Sequence, residues 1–267
     1  MGIKNFKQKI ILVSNTKGGT GKSTLSVHMS ICLEYLGYKT CLIDTDANQG
    51  SSFNYLNNRV RFSKSTGINM PTPIFKAINN DENNKEDFHL VLKKLEEALD
   101  EAKNCHIIII DSPGYDGFLT RQLIKYASLI LSPINESLID ISALFWSRFD
   151  QEKNVYIPST YTELIWDFRK RSMLEKKIVP WVLVLNRMSN VFTRNKENVQ
   201  LNLKKFSKLL GFHLEEGLFE RTIFKEMFES GRTVLDLIYG EDNSDYSRYV
   251  TSGEEIMYLT KRILDKL

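Results

Sequence analysis

Five short runs constrain this chain more than any other feature: IILV (10–13), TCLID (40–44), HIIIID (106–111), LILSP (129–133) and VPWVLVLN (179–186). Each has the length of a strand, and each is apolar at consecutive rather than alternate positions. A strand half in water alternates; one covered on both faces has no need to, and such strands belong to parallel sheets packed between helices. Between the runs the period turns helical: Leu25, Met29, Leu33 and Leu36 lead to a capping Gly37, and a second helix is expected from about Glu86 to Lys103. This alternation predicts an α/β fold, a doubly wound, mostly parallel sheet flanked by helices, with ligands outside the carboxyl ends of the strands. At 267 residues and 42% hydrophobic content, residues 1–267 are expected to form a single domain.

Two stretches break the rhythm. Residues 54–84 are polar and carry Gly67, Pro71 and Pro73, which predicts a long surface connection with one short helix. Residues 150–177 carry a charge run, Arg169, Lys170 and Arg171, expected to be a solvated helix face. Near the end, Ile256, Leu259, Ile263 and Leu267 share a helical face, while Glu254, Glu255 and Asp265 offset Lys261, Arg262 and Lys266. Docking on the domain, and no membrane contact, is the expectation.

Cys32, Cys41 and Cys105 are odd in number and sit in apolar runs without a C-x-x-C pair, so they are expected as reduced core residues of a cytoplasmic protein. The IILV run is too short for a signal-peptide core, and Phe6 stands where N-myristoylation wants Ser or Thr. A net charge of +3 means that any basic surface must be local.

Residues 14–24, SNTKGGTGKST, follow the first strand and open the first helix. Gly18, Gly19 and Gly21 allow backbone N–H groups to face one anion, and the helix starting near Lys22 adds its positive end. Lys22 is expected to reach the β- and γ-phosphates and the Ser23 hydroxyl to bind Mg²⁺. Asp44 and Asp46 close the second strand, and Asp111 ends the third run in IIIIDSPG, the place of a Walker B carboxylate. Gly114 lets a backbone N–H approach a γ-phosphate, making 112–117 a candidate switch segment.

Lys17 remains. The ordinary phosphate-loop pattern has glycine at the position of Thr16 and no lysine beside it. Two ammonium groups facing one unliganded loop repel, and Lys22 already fills the phosphate role. Lys17 is therefore expected to point outward, to the nucleotide of a second subunit across a two-fold axis, with Gly18 leaving room for the approach.

KGGTGKST resembles the deviant Walker A loop of the ParA and MinD superfamily, which implies that the doubly wound sheet is P-loop NTPase-like. Further segments, LIDTDANQ, SPINESLID, PSTYTELIWDFRKRS, PWVLVLNRMSN and LFERTIFKEMFESGRTVLDL, are similar in order to the MipZ family of division-plane positioning ATPases. That resemblance implies an ATPase using ATP and Mg²⁺ that forms an ATP-dependent homodimer. It implies Lys17 as the lysine reaching the partner subunit's ATP, Gly18 as a dimer contact and Asp46 as the residue positioning the attacking water. Gly19, Thr20, Gly21, Lys22, Ser23 and Thr24 would line the phosphates, Ser23, Asp44 and Asp111 would surround the metal, and Asn186 would lie near the base. It also implies nonspecific DNA binding by the dimer through Arg194, Lys196 and Arg221, with Arg187, Lys204 and Lys205 as further phosphate contacts. Glu197 and Asn198 interrupt that basic run. A ParB-like chromosome partition protein and FtsZ are the implied partners, and the nucleoid the implied location. The alternatives are a ParA-type partition ATPase, a metabolic ligase of the same fold, whose relatives lack the K-G-G start, and a MinD-like membrane switch.

Overall fold

The computed structural model describes residues 7–46, 49–79, 87–152, 155–189, 194–240 and 246–267. β1 (Lys9–Val13) runs into the glycine-rich loop and α1 (Lys22–Tyr35); β2 (Thr40–Asp44), α2 (Ser51–Thr66), β3 (Ile74–Ala77) and α3 (Asp87–Glu101) follow. Next come β4 (Ile107–Asp111), α4 (Phe118–Leu123), β5 (Leu129–Asn135), α5 (Leu138–Phe145), β6 (Trp146–Asp150) and β7 (Val155–Pro158). The chain continues through α6 (Thr160–Leu174), β8 (Trp181–Asn186), α7 (Arg194–Leu210), β9 (His213–Glu216), α8 (Ile223–Glu226), α9 (Val234–Tyr239) and α10 (Tyr246–Leu264).

Seven strands form one sheet in the order β3-β2-β4-β1-β5-β8-β9, and every pair in it is parallel. The doubly wound expectation is met. β6 and β7 pair antiparallel outside it. Along the inner strands, neighbouring residues serve opposite cores. Leu12, Ile108, Ile110 and Ile130 face the core under α3, α5, α6 and α7, while Ile11, Val13, Ile107, Ile109 and Leu131 face the core under α1, α2, α9 and α10. That double burial is why those runs do not alternate.

The expectation for 54–84 needs correcting. The region carries most of the sixteen-residue helix α2 and the edge strand β3. α2 is poor in apolar residues, but Tyr55, Leu56 and Arg59 are buried and Gly67 ends it with φ +75°. Among the described residues β3 pairs with β2 alone, and its Ile74 is exposed. In the 150–177 region, Arg169 is half-buried and donates to the carbonyls of Val179 (3.1 Å) and Leu210 (3.4 Å), leaving Lys170 and Arg171 on the solvated face. The C-terminal helix docks as expected: Ile256, Leu259 and Ile263 are buried and Leu267 packs on the same core. Its Arg262 and Lys266 pair with Glu215. All three cysteines are free and buried. Among the described residues no helix is long and apolar enough to cross a membrane.

Candidate nucleotide site

Strand register builds the site. β2, β4 and β1 are aligned so that Asp44 stands beside Asp111 and Asp111 beside Val13, while β5 and β8 align Asn135 with Asn186. Neighbouring strands lie about 4.8 Å apart, and residues in register point to the same side. Two carboxylates thus meet at the carboxyl edge of the sheet, next to the loop leaving β1. The central β1 sits between β4 and β5, where the strand order reverses, and such a switch point opens a crevice.

The loop is made by Gly19 (φ +76°) and Gly21 (φ +86°), both in the left-handed region that favours glycine. A β-carbon on Gly21 would also stand 2.3 Å from Asn186 Nδ2. Asn15 ties the loop down: its amide donates to Pro133 O (2.7 Å) and its carbonyl accepts from Lys17 N (3.0 Å). A cleft of about 350 Å³ opens at it, lined by Gly18, Gly19, Gly21, Lys22, Ser23, Thr24, Asp44, Asp46, Gly114 and Asn186 and also by 218–221, Phe224 and Lys225.

Lys22 lies in this cleft, buried, its ammonium 3.0 Å from Lys17 O. Burial pulls its pKa down, and the charges of Asp111 and Asp46 push it back. Gly114 is packed close by: a β-carbon there would lie 3.2 Å from Lys22 Nζ and 3.3 Å from Gly18 Cα. Thr20 is buried and its carbonyl accepts from Asn186.

The two in-register carboxylates differ. Asp44 accepts from Asp46 N (3.0 Å), Ser52 Oγ (2.8 Å) and Phe53 N (3.0 Å), so it anchors the turn into α2. Asp111 is buried with Oδ1 unpartnered. Burial, and then the charge of Asp44, push its pKa up to about 7, against the hydroxyls of Ser23 and Ser52. A buried, unpartnered carboxylate oxygen beside a second carboxylate and a serine hydroxyl is what a hard cation such as Mg²⁺ would relieve. No group of three or more His, Cys, Asp or Glu able to hold a metal exists among the described residues, so such an ion would draw most of its ligands from phosphate and water. Asp46 is half-buried at the cleft, its pKa raised by burial and by Asp44.

Lys17 does not line the cleft. Its ammonium is paired with Asp140, buried in the first turn of α5. No sequence signal linked these two residues, which are 123 positions apart.

The remaining candidates divide between the cleft and the outer surface. Asn186 spends its amide on Thr20 O (2.9 Å) and its carbonyl on Leu218 N (3.2 Å), bracing the loop. Arg187 donates to Gly19 O (2.8 Å) and pairs with Glu220 (2.9 Å), so it belongs to the cleft mouth rather than to a free basic surface. Arg221 is held by Glu255 (2.7 Å) and also lines the cleft. Lys204 and Lys205 are exposed on α7, and the side chains of Arg194 and Lys196 lie outside the described residues.

Proteins of known structure share the fold. The apo structure of McdA from Cyanothece superposes with a TM-score of 0.61 at 14% identity, covering 94% of this chain and all of that one. The MinD of the Aquifex aeolicus MinC:MinD complex gives 0.56 at 14% identity over 96% of each chain. A plasmid partition protein of Borrelia burgdorferi bound to AMPPNP gives 0.56 at 18% identity, over 96% of this chain and all of that one. At these identities the likeness is one of fold. Among curated relatives, Soj of Bacillus subtilis is 50% identical over 38 residues, 14% of this chain and 15% of its own length. The uncharacterized protein MJECL24 of Methanocaldococcus jannaschii is 29% identical over 161 residues, 51% of this chain and 62% of its own length. The matches thus span less than two thirds of these relatives. The family model described as ATPase MipZ matches residues 9–263, nearly the whole chain, and the chain therefore belongs to the MipZ ATPase family.

Proposed function

We propose that this chain is an ATP-dependent dimerisation switch with slow Mg²⁺-dependent hydrolysis. The observation that carries the reading is the division of labour between its two loop lysines. Lys22 lies in the cleft where phosphates would sit, and Lys17 lies outside it, 48% exposed and held by Asp140. The lysine end of the pair is half in water, and Asn135 still donates to the buried Asp140, so releasing the lysine does not strand the carboxylate. A phosphate brought by a second copy can therefore draw Lys17 away from Asp140.

In this reading the loop N–H groups and Lys22 bind the β- and γ-phosphates, and Gly114 leaves the γ-phosphate room. Ser23 and Asp111 would hold Mg²⁺, with Asp44 orienting the turn beside them. A bound Mg²⁺ supplies charge neutralisation on the phosphate oxygens. Asp46 orients the attacking water; in-line phosphoryl transfer needs a placed water more than a strong base. Lys17 of each subunit steadies the nucleotide of the other, and hydrolysis returns monomers.

The resemblance extends the reading to nonspecific DNA held by the dimer, with Arg194 and Lys196 as contacts, and to a ParB-like partner and FtsZ. Arg221 contributes less to such a surface, because Glu255 neutralises it. Calorimetry tests the base of the proposal: the wild type should bind ATP and turn it over with no small-molecule acceptor added, and Lys22→Ala should not bind it. Turnover that requires an added carboxylate substrate would favour a metabolic ligase instead.

A further inference from the structure

The cleft has a second wall that the phosphate chemistry does not use. It is formed by 218–221 together with Phe224 and Lys225, and Asn186 joins it to the glycine-rich loop. Its backbone is fastened to the end of β8: Met188 N donates to Leu218 O (3.2 Å), Glu220 N to Met188 O (3.0 Å) and Leu218 N to Asn186 Oδ1 (3.2 Å). Its side chains are fastened from the other direction, by α10. Arg221 donates through Nη1 to Glu255 Oε2 (2.8 Å) and Ser252 Oγ (2.7 Å) and through Nη2 to Glu255 Oε1 (2.7 Å), and its guanidinium lies 5.7 Å from the centre of the Phe219 ring.

An arginine lining a cleft for a polyanion would ordinarily be read as a phosphate contact. Here both carboxylate oxygens of Glu255 take up its fork, a bidentate arrangement that fixes orientation as well as charge. Arg221 is thus neutralised and held in a fixed orientation. Asn186 cannot read a base without giving up the loop, since both ends of its carboxamide are engaged. Besides Lys225, and Glu220 paired with Arg187, the wall offers apolar and aromatic surface from Leu218, Phe219 and Phe224, a surface suited to a flat heterocycle.

Resting on the nucleotide-binding reading above, we infer that Glu255, acting through Arg221, is a positioning residue for the nucleoside half of the ligand. α10 is thereby part of the nucleotide site without touching the phosphates.

The test is calorimetric binding of ATP and of inorganic tripolyphosphate, both with Mg²⁺, to the full chain. Glu255→Gln should weaken ATP about tenfold, the scale of a lost hydrogen bond to a charged group, and leave tripolyphosphate unchanged. Arg221→Gln should do the same, and the double variant should be no weaker than either single one. Equal losses for both ligands, no loss for either, or additive losses in the double variant would each overturn the inference. If Glu255→Gln does not fold, Ser252→Ala removes one contact to the same guanidinium and should weaken ATP alone by about threefold; unchanged ATP binding there counts against the inference. A wild type that binds tripolyphosphate but not ATP would overturn this inference and leave the phosphate site standing. A wild type that binds neither would remove the nucleotide reading beneath it.

Discussion

Lys17 is parked on Asp140. The ammonium meets Asp140 Oδ1, and Asn135 Nδ2 donates to the other oxygen at 3.1 Å. Asp140 sits in the first turn of α5, where the helix dipole favours a negative charge. In the proposed switch this contact competes with the partner's phosphates. Asp140→Asn should therefore lower the ATP concentration needed for half-maximal dimerisation by about two- to fivefold, the value of a partly exposed pair. An ATP titration followed by light scattering reads this directly; an unchanged midpoint would show that Asp140 does not restrain Lys17.

Gly114 tests how closely the 112–117 segment must approach the loop. A β-carbon there meets Lys22 Nζ at 3.2 Å and Gly18 backbone at 3.3 and 3.4 Å. The lysine tip can yield, but the loop backbone yields only with strain. Gly114→Ala should weaken ATP binding by about tenfold, the low end of an overpacking cost. Wild-type affinity by calorimetry would mean that the segment moves away before nucleotide enters.

Arg59 is fully buried and makes a two-pronged pair with Asp236 (2.7 and 2.6 Å) while donating to the carbonyls of Pro71 and Gly231. It joins α2 to α9, behind the site. Burial pushes the Asp236 pKa up, but the hydrogen bonds and charge of Arg59 outweigh it, so the carboxyl is held below its usual value. Arg59→Ala would leave that carboxylate without its cation, and thermal unfolding should show a loss of about 3–5 kcal/mol. A loss under 1 kcal/mol would mean that the pair is replaceable by water.

His28 gives the pH dependence. It is fully buried on α1, its Nδ1 bonded to Thr24 O (2.8 Å) and its ring edge-on to Tyr55 and Phe224. Burial is the main cause that brings its pKa down to about 4. Above the unfolded value of about 6.5 the ring is neutral in both states. Below that value the unfolded chain takes up a proton that the folded one refuses, so stability falls between about pH 6.5 and 4. Asp111, with its raised pKa, acts in the opposite direction, so the effect is read as a difference. His28→Phe should gain about 2 kcal/mol relative to wild type between pH 8 and pH 5. A pH-independent difference would mean that folded His28 accepts a proton normally.

The inner strands and the phosphate loop were legible because burial on both faces and left-handed glycines leave direct marks on a sequence. α2 and β3 were not. The helix is rich in Asn and Ser, and it is held by Asp44 on Ser52 and Phe53 and by the buried Arg59, contacts whose partners are not adjacent in the chain. The outward direction of Lys17 followed from charge repulsion within a tight loop, whereas its resting partner Asp140 is set by the pairing of β1 with β5, the strand that leads into α5. The resemblance implied Asn186 near a base, and the residue lines the cleft. Its carboxamide is occupied by the loop and by Leu218, which only the register of β8 with its neighbours reveals.

The most direct test of the central claim is molar mass in solution by light scattering, with ADP and with ATP, for the wild type, Asp46→Ala and Lys17→Ala. The account predicts a mass that doubles only with ATP, a doubled form that persists in Asp46→Ala, and a Lys17→Ala protein that binds ATP and stays single. A mass that never changes with nucleotide, or a Lys17→Ala protein that doubles like the wild type, would contradict it.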